Sequence, residues 1–485
     1  MPRKLFFAIP AALLAAFAAH RLVPGALGGG VILLPSGWRI HPAGRTVAVG
    51  TLPLSVLRLA DGALLLSNDG YGANGLMRVD PGAARVTDTI SFKAAWLGLA
   101  HRGTTAADTV WASAGTWNRI YRVIFAPGAS PAVDSVVLAA PRAKLAVGGI
   151  AVVPGRDLVA AVGNLDDSLR LFDTRTLEPR GAVAVGHRPY AVVADSTRLY
   201  VSDWGDSTVS IVDLSALPAL RATTVFIGPH PSALALGNGS LFATLAAVNG
   251  VARLDLATNR VVEQLTISLG RNAPTGSDPT ALALAPGGRT LYVPLAGNNA
   301  VAVVRVGRTT MRVAGLIPAG WYPTAVTTSA DGRTLYVANG KGAGSGPNPA
   351  HTYIGNVIGG TVSIVPVPDS ARLARYTAEA TALSPYSNPR LRAPQPPGAH
   401  PPIRHVVYVI RENRTYDQVL GDLPQGDGDA ALAIFNDSVT PNAHAIARHW
   451  VLFDNFYVDG EVSADGHEWT DRAFAGDYNE KTWPA

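Results

Sequence analysis

Pro279-Thr-Ala-Leu-Ala-Leu284 is followed by Pro286-Gly-Gly-Arg-Thr-Leu-Tyr-Val293 and then by Asn298-Asn-Ala-Val-Ala-Val-Val304. The same succession returns as Pro323-Thr-Ala-Val326, Asp331-Gly-Arg-Thr-Leu-Tyr-Val337 and Gly360-Thr-Val-Ser-Ile-Val365. Each unit is a set of short apolar segments of period two, separated by Gly, Asp or Asn. Period-two alternation marks half-buried strands, and those residues mark the turns between them.

Working outward, earlier copies start at Pro189-Tyr-Ala-Val-Val193 and Pro231-Ser-Ala-Leu-Ala-Leu236. The Pro189 copy continues through Leu199-Tyr-Val201 to Ser207-Thr-Val-Ser-Ile-Val-Asp213. Fainter copies start near Pro53, Gly98 and Gly149, so that successive starts lie 40 to 51 residues apart. That period is the size of a four-stranded propeller blade. Seven starts predict an all-β, seven-bladed propeller over residues 30–368. The ring is expected to close by pairing Val31–Leu34 or Thr46–Val49 with the last blade. The Leu-Tyr-Val and Thr-Val-Ser-Ile-Val-Asp strings resemble the YncE-like, YVTN-type bacterial propellers, a likeness that speaks to the fold and not to a ligand.

The bulk composition suits this reading. The 485 residues include 50 glycines and 36 prolines, and only 15% are charged. The chain is too long for one ordinary core. The net charge of +5 comes from scattered basic residues without a dense run, so no nucleic-acid partner is expected. There is no cysteine, which excludes disulfides, thiolate metal sites and a lipoprotein anchor. At the start, Arg3 and Lys4 precede an apolar run ending in Ala16-Phe-Ala-Ala19. This predicts a signal peptide over residues 1–19 and a periplasmic or secreted product.

Beyond the propeller, residues 369–383 predict a helix, and the proline-dense stretch to Pro402 an interdomain linker. The Gly340–Pro349 stretch predicts a rim loop able to touch a protein partner or the second domain. After the linker the character changes. Ile403–Ile410 is a continuous apolar run of the kind buried in a parallel sheet, and it leads into Arg411-Glu-Asn-Arg-Thr-Tyr-Asp417. Thr440-Pro-Asn predicts a helix start. Val451–Val458 predicts a second strand, followed by Asp459-Gly-Glu-Val-Ser-Ala-Asp-Gly-His467. Strand, polar segment, helix, strand, polar segment is the order of an α/β unit, with polar residues at the strand ends where such sheets keep their sites.

These motifs resemble the phosphoesterase family that contains bacterial phospholipases C and acid phosphatases, within the alkaline phosphatase superfamily. The likeness covers residues 403–485. It implies an incomplete start of an α/β alkaline-phosphatase-like domain, with Glu412 and Asn413 as ligands of a divalent metal ion (Zn, Ca or Mg type). It also implies Ser463 as nucleophile and His467 as a phosphate contact. Ser463 lies 51 residues after Glu412. Thr440 is the rival hydroxyl, though helix capping accounts for it. Asp417 reads as a capping residue, Arg414 as a phosphate contact or salt-bridge partner, and His405, His444 and His449 as structural. The implied substrate is a phosphate-ester small molecule or a phospholipid. Superfamily members carry further Asp and His ligands downstream, so this chain by itself is expected to be an incomplete, inactive fragment. The competing expectation is a periplasmic binding or scaffold propeller with a vestigial phosphoesterase tail.

Overall fold

The computed structural model describes residues 23–485 apart from 73, 104–106, 270–272, 274, 347, 351, 386–403, 455, 457, 459, 484 and 485. The expected signal peptide and the proline-dense linker therefore lie outside the described residues. Among those described, seven four-stranded antiparallel sheets follow one another along the chain. Their first strands begin at Pro53, Leu99, Val147, Pro189, Pro231, Ala283 and Trp321, within a few residues of the seven expected starts. The sheets are numbered here as blades 1 to 7 in that order.

In each blade the first strand touches the first strand of the next, while the fourth is the most exposed except in blade 6, where five of its eight residues are buried. The fourth strand of blade 5, Arg260–Thr266, alternates between exposed and half-buried residues. The second strand of the same blade, Ser240–Leu245, is buried throughout. First strands thus surround the axis and fourth strands form the outer edge. The core is divided accordingly into apolar clusters between neighbouring blades. One joins Ala160 and Val162 of blade 3 to Leu199 and Val201 of blade 4. Another joins Leu64 and Leu66 of blade 1 to Tyr336 and Val362 of blade 7.

Of the two segments expected to close the ring, Arg45–Val49 does so. It pairs antiparallel with Gly360–Pro366 as the outer strand of blade 7, with Val47 opposite Val362. Val31–Leu33 instead sits in a separate three-stranded sheet with Gly25–Gly28 and Arg39–Ile40. The expected helix forms at α1, Ser370–Leu383, capped by the Asp369 side chain. It lies on the outer strand of blade 6, where Thr377 Oγ1 accepts the Leu316 N–H at 2.9 Å. Gly315 permits this approach, because a Cβ there would stand 2.5 Å from Thr377 Oγ1.

The C-terminal part departs from expectation. Residues 404–410 form no strand and are exposed, Val407 to 87%. No strand forms among the described residues of Val451–Val458 either. Apolar sequence makes a strand only where a neighbouring backbone completes its hydrogen bonds, and among the described residues no strand pairs with either segment. What forms is a set of short helices. These are α2 (Tyr416–Leu420), α3 (Pro441–His449), α4 (Ser463–Arg472) and α5 (Asp477–Thr482). Among the described residues no helix is long and apolar enough to cross a membrane.

Candidate functional site

The rim of the propeller that bears the start of each first strand also bears each turn between second and third strands, because neighbouring strands run antiparallel. The C-terminal segment is docked on this rim through residues of six blades. Tyr71 of blade 1 packs on Trp483, ring centroids 5.6 Å apart. Trp96, ahead of blade 2, donates its indole N–H to the Lys481 carbonyl at 2.6 Å. Asn164 of blade 3 accepts the Tyr478 hydroxyl at 2.7 Å, and Trp204 of blade 4 stacks on the same ring at 4.0 Å. Thr280, ahead of blade 6, receives the Lys481 ammonium on its carbonyl at 3.5 Å. Tyr322 of blade 7 donates to Asp477 at 3.2 Å. Asp477, Glu480 and Lys481 are consequently buried although all three are charged residue types.

One ion cluster stands out at this contact. The Lys341 ammonium lies 2.8 Å from Glu461 and 2.9 Å from Glu480, and 5.2 and 5.1 Å from the ring centres of Trp321 and Tyr322. Burial alone would pull Lys341 down, but the Glu480 and Glu461 carboxylates outweigh it and hold the ammonium above its ordinary value. Asp465 is buried beside this cluster, takes one hydrogen bond from Asn479 at 2.8 Å, and leaves Oδ2 without a partner. Burial first, and then the Glu480 charge, pushes its carboxyl up to about 8, with Lys341 pulling the other way. Glu461, Asp465 and Glu480 bring carboxylate oxygens within 4.8 Å of one another, and Lys341 already bridges two of them. The Gly340–Pro349 stretch thus does touch the second segment. Its contact residue, Lys341, lies at the end of the second strand of blade 7, Thr334–Gly342.

A group whose docked-state pKa is raised holds its proton more tightly docked than released. Docking is therefore at full strength below the ordinary carboxylate range and weakens as pH rises through about 8. Amide exchange in residues 461–483 should quicken beyond the intrinsic base-catalysed rise between about pH 4 and about 8, and follow the intrinsic rise above that. Asp465→Asn should flatten that excess. An excess unchanged in Asp465→Asn would assign it to another group.

The residues singled out from the sequence fall at the outer side of this contact. Asn413 lies in the left-handed region, φ 67°, which turns the chain between residue 412 and α2. Glu412 Oε2 lies 3.6 Å from His467 Nε2, both side chains about half exposed. Ser463 is the first residue of α4 and is exposed. Ser463 and His467 are four apart on this helix and so share a face. Segments far apart in sequence are thus brought together at Glu412 and His467.

The other candidates are engaged elsewhere. Thr440 occupies the expected position before α3, yet its hydroxyl caps nothing: it bonds the Phe435 carbonyl at 2.8 Å and His444 Nδ1 at 3.0 Å. His444 is fully buried, with Nε2 2.7 Å from Asp422, a structural placement. Asp417 accepts the Asp429 N–H at 2.9 Å. Arg414 lies over the Phe435 ring at 5.2 Å and forms no salt bridge among the described residues. A wider cavity of about 460 Å³, on the outer edge between blades 1 and 2, contains none of these residues.

No family model and no curated protein matches the chain. Solved structures do. The WD40 repeats of RRP9 superpose with a TM-score of 0.54 at 12% identity, over 71% of this chain and 99% of that one. U3-55K gives 0.54 at 13% identity, over 67% and 98%. A chain of the mitotic checkpoint complex gives 0.50 at 12% identity, over 76% and 99%. At such identities the likeness establishes the β-propeller fold and nothing further.

Proposed function

We propose that the chain is an exported, propeller-mounted, metal-dependent phosphoesterase, a hydrolase of ester bonds in a phosphate-ester small molecule or phospholipid. The observation that carries this reading is the approach of Glu412 to His467 on the helix that begins at Ser463. Two ligands of a tetrahedral ion, each bonded at about 2.1 Å, stand about 3.4 Å apart. The 3.6 Å between Glu412 Oε2 and His467 Nε2 fits that spacing, and the Asn413 amide is adjacent in the chain. Glu412 and His467, with the Asn413 amide beside them in the chain, are the residues that would hold a divalent ion, and these donors fill part of a first shell. When bound, such an ion would favour the ionised Ser463 hydroxyl and offset phosphate charge. Ser463 presents its hydroxyl at the amino end of α4, where first-turn amides lack intrahelical partners and favour an anion. His467, on the same face as Ser463, would then serve the ion and not a phosphate oxygen, which departs from the role the resemblance implies.

Titration of Zn²⁺ into the chain should show saturable binding that Glu412→Ala weakens at least tenfold and Ser463→Ala leaves unchanged. In the product of the whole natural reading frame, Ser463→Ala should lower turnover of p-nitrophenyl phosphate by on the order of 10³-fold or more. Undiminished turnover would remove Ser463 from the nucleophile role. Metal affinity indifferent to Glu412→Ala would favour the other reading, a binding or scaffold propeller with a vestigial tail.

A further inference from the structure

Between the propeller rim and the C-terminal segment lies a cavity of about 210 Å³. Trp321, Tyr322, Trp469 and Phe474 give it aromatic walls, and Asp278, Glu461, Glu480 and Lys341 its charge. Lys341 is engaged with Glu461 and Glu480. Asp278 is not so matched. Its side chain belongs to a residue only 4% exposed, Oδ1 has no hydrogen-bond partner, and it forms no ion pair among the described residues. A buried carboxyl oxygen without a donor is costly, and a native structure holding one calls for a ligand or a proton.

The chemistry of the walls narrows the ligand. An anion would meet three carboxyl groups, Glu461 and Glu480 already engaged with the one lysine. A neutral apolar molecule would leave Asp278 unmatched. A hard metal ion needs several converging oxygens, and the carboxylates that converge here, Glu461, Asp465 and Glu480, do not include Asp278. An ammonium with N–H groups satisfies the carboxyl oxygen, and aromatic faces attract the cation while covering its carbon skeleton. The volume is below the roughly 300 Å³ at which drug-sized pockets begin, so the occupant has a handful of heavy atoms.

We propose that this cavity binds a small primary or secondary organic ammonium, with Asp278 accepting its N–H. The site is independent of the phosphoesterase reading. Burial, then Asp477 and Glu480, hold the Asp278 carboxyl well above the usual range, while Arg472 and Lys481 oppose them. The empty site therefore favours a proton on Asp278 over a bare carboxylate. Entry of the ammonium releases that proton to solvent and leaves a carboxylate–ammonium pair.

Calorimetric titration of the full chain with butylammonium chloride, at neutral pH in two buffers of different ionisation enthalpy, tests this. The expected result is saturable binding at one site accompanied by proton release. Asp278→Asn should weaken it at least tenfold and abolish the proton release. Tetramethylammonium, which has no N–H, should bind at least tenfold more weakly than butylammonium. Trp469→Ala, which leaves the buried carboxyls intact, should weaken binding several-fold and keep the proton release. Non-saturating heats, equal affinity in Asp278→Asn, or tetramethylammonium binding as tightly as butylammonium would each overturn the proposal.

Discussion

Lys341→Met is expected to release the C-terminal segment from the propeller while leaving the propeller folded. The ammonium is the shared partner of Glu461 and Glu480, 2.8 and 2.9 Å away, and all three side chains are largely buried. Methionine keeps most of the stem but leaves two buried carboxylates facing each other and Asp465. Breaking a buried pair by removing one partner costs about 3–5 kcal/mol. At neutral pH that cost exceeds what a six-residue helix and its ring contacts can offset alone. Amide exchange in residues 461–483 should rise strongly, with the exchange of buried second strands such as Ser240–Leu245 unchanged. The defect should shrink in acid, because burial already favours the protonated forms of Glu480 and Asp465, which no longer repel once neutral. Equal protection of residues 477–483 in Lys341→Met and the parent chain would show that the aromatic contacts suffice.

The second large effect is expected at the ring closure. Val47 is 6% exposed, lies opposite Val362, and packs among Leu64, Leu66, Tyr336 and Ala338. Val47→Asp places a carboxylate in this apolar seam with no cation beside it. Loss of stability of about 3–5 kcal/mol or more should follow, read as an earlier midpoint in urea unfolding. Thr46→Asp, on the exposed side of the same strand, should change the midpoint by no more than about 0.5 kcal/mol. Similar midpoints for the two variants would mean that this strand does not close the ring in solution.

The blades were legible because a propeller is built from local repeats. Period-two alternation and the turn residues between strands lie within one blade, so Pro53 and Gly98 could be aligned with Pro279 despite faint likeness. The closing strand was ambiguous because Val31–Leu34 and Thr46–Val49 are both short and apolar. Pairing decides between them, and pairing joins residues more than 300 positions apart. The C-terminal strands were misjudged for a related reason. The apolar run at 403–410 states a preference for burial, and a strand exists only when a neighbour takes up its backbone. Thr440 was placed correctly and its bonding was not, since its hydroxyl reaches the Phe435 carbonyl upstream instead of the helix. The Lys341 cluster left almost no trace in the sequence. Its partners are 120 and 139 residues away, and a single lysine in a glycine-rich stretch reads as a solvated loop. The juxtaposition of Glu412 with His467 was foreshadowed only by motif order.

The docking of α5 on the rim has a consequence for the order in which the molecule assembles. Its partners run from Tyr71 in blade 1 to Lys341 in blade 7, and no blade alone presents more than a few of them. The receiving surface comes into being only when the blades stand around a common axis, which requires Arg45–Val49 to have joined Gly360–Pro366. Contacts of such sequence separation form late, after the closure entropy of the intervening chain has been overcome. Seating of α5 is thus expected to follow ring closure, so that burial of Trp483 against Tyr71 would report a completed ring.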